Sequence, residues 1–269
     1  MFLAIDVGNT QTTLGLFDED GTVAHGWRMA TSHTDTSDMI DARLHGYFNK
    51  DGLDQARVTA AGIACVVPVL TRAWYKCLLD RTGTEPLVVT PKTDSGMRID
   101  MPDPTQVGAD RIANAVAARL TYGAPVIVVD FGTATNIDVV DATGAFRGGT
   151  IMPGLLLSAQ ALFDRAAKLS SVPLVVPPHA LGNSTETAVQ SGVVIGAAAQ
   201  AEGLVRRIQE ELAGEGDDVP YATVVGTGGY ATTIAEATDI FDAVDPDLTI
   251  RGIYQIWRHA VEKHVARGA

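Results

Sequence analysis

Two stretches of the chain carry the same arrangement of carboxylate, glycine and hydroxyl residues. Leu3–Gly21 (LAIDVGNTQTTLGLFDEDG) and Val126–Gly144 (VIVVDFGTATNIDVVDATG) each run from an apolar strand through a D-x-G turn into a second strand and an Asp/Gly turn. Asp6 and Gly8 match Asp130 and Gly132; with one residue dropped from the second copy, Thr12, Asp18 and Gly21 match Thr135, Asp141 and Gly144. A single D-x-G-x-T is ordinary hairpin chemistry, but two copies in matched strand contexts imply a duplicated fold. The tip chemistry favours phosphate. Glycine lets the backbone approach a ligand closely, and N–H groups in a tight turn form an anion-binding concavity. Asn9, Thr10, Gln11, Thr12 and Thr13, with Thr133 and Thr135, add polar side chains to it. Asp6 and Asp130 repel phosphate, so each calls for a cation or a water between it and a nucleotide.

A third candidate lies between the copies. VGADRIANAVAARL, residues 107–120, reads as an amphipathic helix with Ile112, Val116 and Leu120 on one side and Asp110 in its first turn. Asp110 is either a capping carboxylate that interacts with the helix dipole or a proton acceptor. Arg111 offers a planar, paired donor set suited to a substrate carboxylate, or a salt bridge that steadies Asp110. No G-x-x-x-x-G-K-[ST] and no G-x-G-x-x-G after the first strand occur, which argues against the P-loop and dinucleotide-binding routes to phosphate. Cys65 and Cys77 fit neither a metal pair nor a disulfide framework, and the six histidines have no metal spacing.

The elements that must hold these residues alternate. Apolar runs rich in Val, Ile and Ala are interleaved with segments of helical period, which is an α/β pattern. Strands are expected at about 2–7, 12–18, 22–29, 58–66, 85–89, 125–130, 135–141, 145–151 and 222–226. Helices are expected at about 37–48, 70–82, 109–121, 154–169, 186–213, 230–237 and 251–266. A chain of 269 residues is long enough for two compact halves, divided here at 1–117 and 118–269. Small residues in GVVIGAAAQAEGL, 192–204, suit close helix packing, either within the chain or at a dimer contact. A formal charge of −12 opposes binding to nucleic acid and to anionic membranes. With no basic, apolar leader visible and no uncharged run approaching a bilayer span, a cytoplasmic location is expected.

The duplicated hairpin resembles the phosphate loops of the acetate and sugar kinase, Hsp70 and actin superfamily. The resemblance implies two ribonuclease H-like halves with nucleotide in the cleft between them. Read in order, DVGNT at 6–10, GADR at 108–111, DFGTATN at 130–136, GGTIMPG at 148–154, TETAVQSG at 185–192, TGG at 227–229 and DPDLTIRG at 245–252 resemble the type III pantothenate kinase family over essentially the whole chain. That resemblance implies ATP-dependent phosphorylation of pantothenate to 4′-phosphopantothenate, the first committed step of coenzyme A synthesis, in a homodimer that uses Mg²⁺ or another divalent ion and K⁺ or NH₄⁺.

Residue by residue, Asp6, Val7, Gly8, Asn9, Thr10, Gln11, Thr12 and Thr13 resemble the ATP phosphate segment, with Asp6 near the Mg²⁺. Asp130 matches the monovalent-cation ligand and Thr133 a nucleotide contact, and Gly228 and Gly229 fit an adenosine-side turn. Gly108, Ala109, Asp110 and Arg111 match the pantothenate stretch, with Asp110 as catalytic base, and Thr185 matches a further substrate contact. The family commonly has tyrosine where Met101 stands; Met101 can pack on the gem-dimethyl portion but lacks the hydroxyl. Asn136 replaces the usual threonine at the end of the second loop. Two rival readings remain at this point: a non-catalytic regulator akin to accessory transcription factors, and another small-molecule kinase or phosphohydrolase of the superfamily.

Overall fold

The computed structural model describes residues 1–165, 171–214, 216 and 220–268. Its strands form two five-stranded mixed sheets. The first contains β1 (Phe2–Val7), β2 (Gln11–Phe17), β3 (Val23–Ala30), β4 (Ala60–Cys65) and β5 (Leu87–Val89) in the order β3-β2-β1-β4-β5. The second contains β6 (Val126–Phe131), β7 (Ala134–Val140), β8 (Phe146–Pro153), β9 (Thr223–Thr227) and β10 (Ala243–Val244) in the order β10-β9-β6-β7-β8. Read from opposite ends these are one topology: an antiparallel meander of three strands, then parallel strands added beside the first. The sequence repeat of nineteen or so residues therefore extends to the whole sheet. β10, only two residues long, carries too little pattern to be read from sequence.

The chain divides into two compact units. The first comprises Met1–Met97, Pro102–Ala117 and the segment from Asp247 onward; the second comprises Arg98–Met101 and Ala118–Pro246. A cut at 117/118 assigned the last helix to the second half, whereas α8 (Leu248–Gly268) packs with the first. The reason lies in small residues on that sheet. A Cβ at Gly15 would lie 3.3 Å from Ile250 Cβ, and one at Gly62 2.9 Å from Ile253 Cγ2. Phe17 stacks on Tyr254 and Phe2 on Trp257, each with centroids 4.5 Å apart. The short segment Arg98–Met101 joins the second unit through the bridge between Ile99 and Phe146.

In the first unit Leu3, Ile5 and Val7 alternate with Phe2, Ala4 and Asp6 along β1. The former set meets α1 (Ser37–Lys50) and α2 (Pro68–Thr82) through Ile40, Leu44, Phe48, Leu70 and Trp74. Burial of both faces is why β1 reads as a nearly continuous apolar run. The Thr36 side chain accepts from Met39 N to start α1; Pro68 starts α2, and Gly83, at φ 67°, ends it.

In the second unit α4 (Leu155–Arg165) forms the described part of the helix expected at 154–169, whose last residues lie outside the described ones. The expected helix 186–213 is α5 (Thr185–Gln190), one π-turn (Ser191–Ile195) and α6 (Gly196–Ala213). Thr185–Ala213 is long and apolar enough to cross a membrane by length and composition only, though Glu186, Glu202, Arg206, Arg207, Glu210 and Glu211 interrupt it and no uncharged run reaches a bilayer span. Its apolar residues Val189, Val193, Val194, Ala198, Ala201 and Val205 instead join one core with β6, β7 and β9. The short helix α7 (Ala231–Ala235) follows β9. Along α3 (Ala109–Tyr122), Ile112 and Val116 are buried as expected, but Leu120 is 57% exposed.

Candidate active site

In the first unit the β1–β2 tip is set by register. Asp6 faces Thr13 and Val7 faces Thr12, leaving Gly8, Asn9, Thr10 and Gln11 to turn the chain. Gly8 N donates to Gln11 O at 3.0 Å, and a Cβ on Gly8 would lie 2.8 Å from that oxygen. Glycine is thus required for closeness, not for a left-handed φ. Asn9, Thr10 and Gln11 are exposed, Asp6 and Thr13 half-buried. Thr12 departs from its expected role as a phosphate donor. It is 1% exposed, and its hydroxyl lies 2.9 Å from that of Thr31.

The same unit carries Gly108, Ala109, Asp110 and Arg111 at the start of α3. The Asp110 carboxylate accepts from Arg111 N at 2.8 Å. A Cβ on Gly108 would sit 2.5 Å from Asp110 Oδ1, so glycine there leaves the carboxylate its place. Burial pushes the Asp110 carboxyl above its ordinary value; the Arg111 N–H and guanidinium pull the other way. That makes it a better proton acceptor than a solvated aspartate. α3 is seated by α8: Thr249 donates to the buried Asn114 Oδ1 at 2.7 Å, and a Cβ on Gly252 would run into the Ala113 carbonyl.

In the second unit the β6–β7 tip repeats the first with one residue fewer. Asp130 faces Asn136 and Phe131 faces Thr135, and Gly132 N donates to Ala134 O at 3.1 Å. β9 lies parallel with Thr227 opposite Asp130, and its next residue, Gly228, has φ 91°. A Cβ there would crowd Asp130 Oδ1 and lie 2.7 Å from Phe131 N, so only glycine fits over this carboxylate. The turn is held by Tyr230 N donating to Phe131 O at 3.3 Å and by Thr227 Oγ1 donating to Asp245 O at 2.7 Å. Asp130, Thr133, Gly228 and Gly229 therefore belong to one tip-and-turn assembly.

Two expected substrate residues of this unit lie outside that assembly. The Met101 sulfur is 3.6 Å from where a Cβ on Gly148 would be, and Gly148 has φ 101°. Thr185 is the exposed first residue of α5, whose cap is the reciprocal pair Ser184 and Thr187. Among the described residues no three His, Cys, Asp or Glu side chains cluster as a metal site.

Sequence reasoning missed Thr31, Asn114, Thr249 and Gly252 as residues that pack and hydrogen-bond around the candidate site. The last two were visible only as letters of the DPDLTIRG string. Thr31 has no local signature; its signal was the meander, which returns the residue after β3 to the β1–β2 tip.

Two copies of a five-stranded mixed sheet, each with a D-x-G tip at the carboxyl end of its first strand, define the actin-like ATPase and sugar-kinase fold. Solved structures share it. A Campylobacter jejuni protein assigned to the Baf family of transcriptional activators superimposes with TM-score 0.60 at 17% identity, over 97% of this chain and 99% of that one. The activator of 2-hydroxyisocaproyl-CoA dehydratase from Clostridium difficile, with bound ADPNP, gives TM-score 0.53 at 11% identity, over 100% and 97%. At these identities the likeness concerns the fold alone.

The sequence comparisons are more specific. The type III pantothenate kinase family profile matches residues 2–207. The chain is 43% identical over 257 residues to the type III pantothenate kinase of Roseiflexus sp. strain RS-1, spanning 96% of this chain and 98% of that protein. It is 42% identical over 270 residues to that of Thermomicrobium roseum, spanning the whole of both. The chain belongs to the type III pantothenate kinase family. It is a kinase, of a family that uses ATP and a divalent metal.

Proposed function

We propose that this kinase transfers the γ-phosphoryl group of ATP to the 4′-hydroxyl of pantothenate, with Asp110 accepting the hydroxyl proton. The observation that carries the reading is the Asp110 carboxylate at the start of α3, raised by burial and seated by the contacts of Asn114 and Gly252. Phosphoryl transfer is mostly positioning and charge neutralisation around a loose transition state, so the proton leaves late and a carboxylate suffices as acceptor.

The Asp6–Thr13 tip receives the phosphates, with Asn9, Thr10 and Gln11 exposed toward them and Thr12 shaping the tip from within. The Asp6 carboxylate at the tip supplies the hard oxygen donor that a divalent ion such as Mg²⁺ takes, and phosphate and water would complete its ligands. When bound, that ion neutralises phosphate charge. Asp130 holds a monovalent cation, K⁺ or NH₄⁺. The glycine over its carboxylate supports this, since a side chain at position 228 would fill the space an ion needs. Thr133, Gly228 and Gly229 contact the nucleotide.

Gly108, Ala109 and Arg111 hold pantothenate with Asp110, Arg111 pairing with its carboxylate. Thr185 adds a polar contact, and Met101 packs on the gem-dimethyl group without supplying a hydroxyl. The reading includes a homodimer and a cytoplasmic location, with neither nucleic acid nor membrane as partner, in keeping with the formal charge of −12.

The test is direct. Purified protein is incubated with ATP, Mg²⁺ and K⁺, with and without pantothenate, and phosphopantothenate and ADP are measured. Pantothenate-dependent product is expected; equal ATP consumption in both arms, with no phosphopantothenate, would sink the reading.

A further inference from the structure

The segment behind the β1–β2 tip is built differently from its counterpart in the second unit. Thr31 follows β3 and Gly154 follows β8, and the two positions correspond: Gln11 pairs with Ala30 and Ala134 with Pro153. Each backbone N–H donates to the tip in front of it, Thr31 N to Thr10 O at 2.9 Å and Gly154 N to Thr133 O at 3.1 Å. The side chains then diverge. A Cβ at Gly154 would run into the carbonyl oxygens of Gly132 and Thr133. In the first unit the extra tip residue opens room, and Thr31 fills it with a hydroxyl.

That hydroxyl has one proton. It is donated to Gly8 O at 2.8 Å, so the bond of 2.9 Å between the Thr31 and Thr12 hydroxyls uses the Thr12 proton. One residue thereby holds three places in a single turn: Gly8 and Thr12 through Oγ1, Thr10 through its own N–H. Asn9, between them, has its carbonyl oxygen 3.3 Å from His33 Nε2. The exposed crown of the tip is left with a fixed backbone beneath it.

We infer that Thr31 is a positioning residue for the nucleotide, holding the Gly8–Thr12 turn in the form that receives the phosphates of ATP. The inference rests on the reading of this tip as the phosphate segment. A hydroxyl that acts only through the turn is predicted to affect the nucleotide and leave the second substrate alone. A threonine needed only for folding makes no such distinction.

The full-length protein is compared with Thr31→Val, which keeps the shape and removes the hydrogen bonds, and with Thr31→Ser, which restores them. Each substrate is varied at saturating levels of the other, and Mg²⁺–ATP binding is measured by calorimetry. Thr31→Val is expected to raise the KM and dissociation constant for ATP about tenfold, with the KM for pantothenate within about twofold of wild type. Thr31→Ser is expected to stay within about threefold on ATP. Unchanged ATP binding in Thr31→Val overturns the inference, and so does a parallel rise in both KM values or an equal defect in Thr31→Ser. Should Thr31→Val not fold, Thr31→Cys, a poor donor of similar size, takes its place with the same expectations. A wild-type protein that makes no phosphopantothenate defeats the proposed reaction instead, and the calorimetric comparison still decides the role of Thr31.

Discussion

The two D-x-G tips share their strand order and one bulge, between Leu16 and Phe17 in one copy and between Val139 and Val140 in the other. They also share a positive-φ glycine at the far turn, Gly21 at 85° and Gly144 at 78°. They differ where a ligand would meet them. The residue facing Asp6 across β4 is Ala64, and the next is Cys65, whose half-buried sulfur donates to Val67 O at 3.2 Å. The residue facing Asp130 across β9 is Thr227, and the next is Gly228, which clears space over the carboxylate. Behind the tips stand Thr31 and Gly154. The two scaffolds are equivalent; one extra residue in the first tip and the side chains exchanged at and around the tips make their sites chemically unlike.

The strongest challenge to that contrast removes Asp110, the candidate site acid that lies outside both copies. Asp110→Asn is expected to lower kcat by about two to four orders of magnitude with ATP affinity within about twofold of wild type, measured by steady-state kinetics and calorimetry. Unchanged turnover would return the proton-acceptor role to one of the duplicated aspartates. The pH dependence has a definite sign. The Asp110 carboxyl is raised in the folded state, and the deprotonated form is the active one. The acidic limb of the kcat profile should therefore lie above the value of a solvated aspartate and vanish in the variant. For stability, a raised folded value means that the favourable contribution is present at low pH and is lost as pH rises through that value. Asp110→Asn should accordingly be at least as stable as wild type near neutrality.

An intermediate effect tests the backs of the tips. Gly154→Ala forces a Cβ against two carbonyls and should cost about 1–3 kcal/mol by denaturant unfolding. Thr31→Ala, which loses hydrogen bonds in a site with room for a side chain, should cost about 1 kcal/mol. Equal costs would show that the two backs are packed alike, against the contacts described. The smallest expected effect concerns the cations. Replacing K⁺ with Na⁺ should slow wild-type turnover several-fold, and Asp130→Asn should be nearly indifferent to the exchange, because the carboxylate that distinguishes the ions is gone. A wild-type rate indifferent to the ion would remove the monovalent site from Asp130.

Much of the fold was legible because both faces of these sheets are buried. Runs such as Phe2–Val7 and Val126–Phe131 are apolar but for Asp6 and Asp130, and the turns that these aspartates open share their glycine and a threonine. Helices α1 and α2 lie close to the expected 37–48 and 70–82, and the structure shows Thr36, Pro68 and Gly83 fixing their ends. Asp6, Asp110, Asp130 and Gly228 were legible as members of strings. What escaped was every assignment that depends on a neighbour distant in sequence. Leu120 continues an apolar helical stripe yet is exposed, because periodicity identifies a face without saying where its cover ends. Thr12 reads as a ligand hydroxyl and is an internal one, because its partner Thr31 arrives by way of β3.

The sequence by itself determined the duplication, the two strand–turn–strand tips and the chemical types gathered at them, since local geometry follows from residue type and period. Tertiary structure decided which unit the last helix joins, which tip hydroxyls face inward, and how α3 is held beneath Asp110. Gly15 and Gly62 are separated in the chain from Ile250 and Ile253, and Gly252 from Ala113; only close packing shows that each glycine exists to admit its partner.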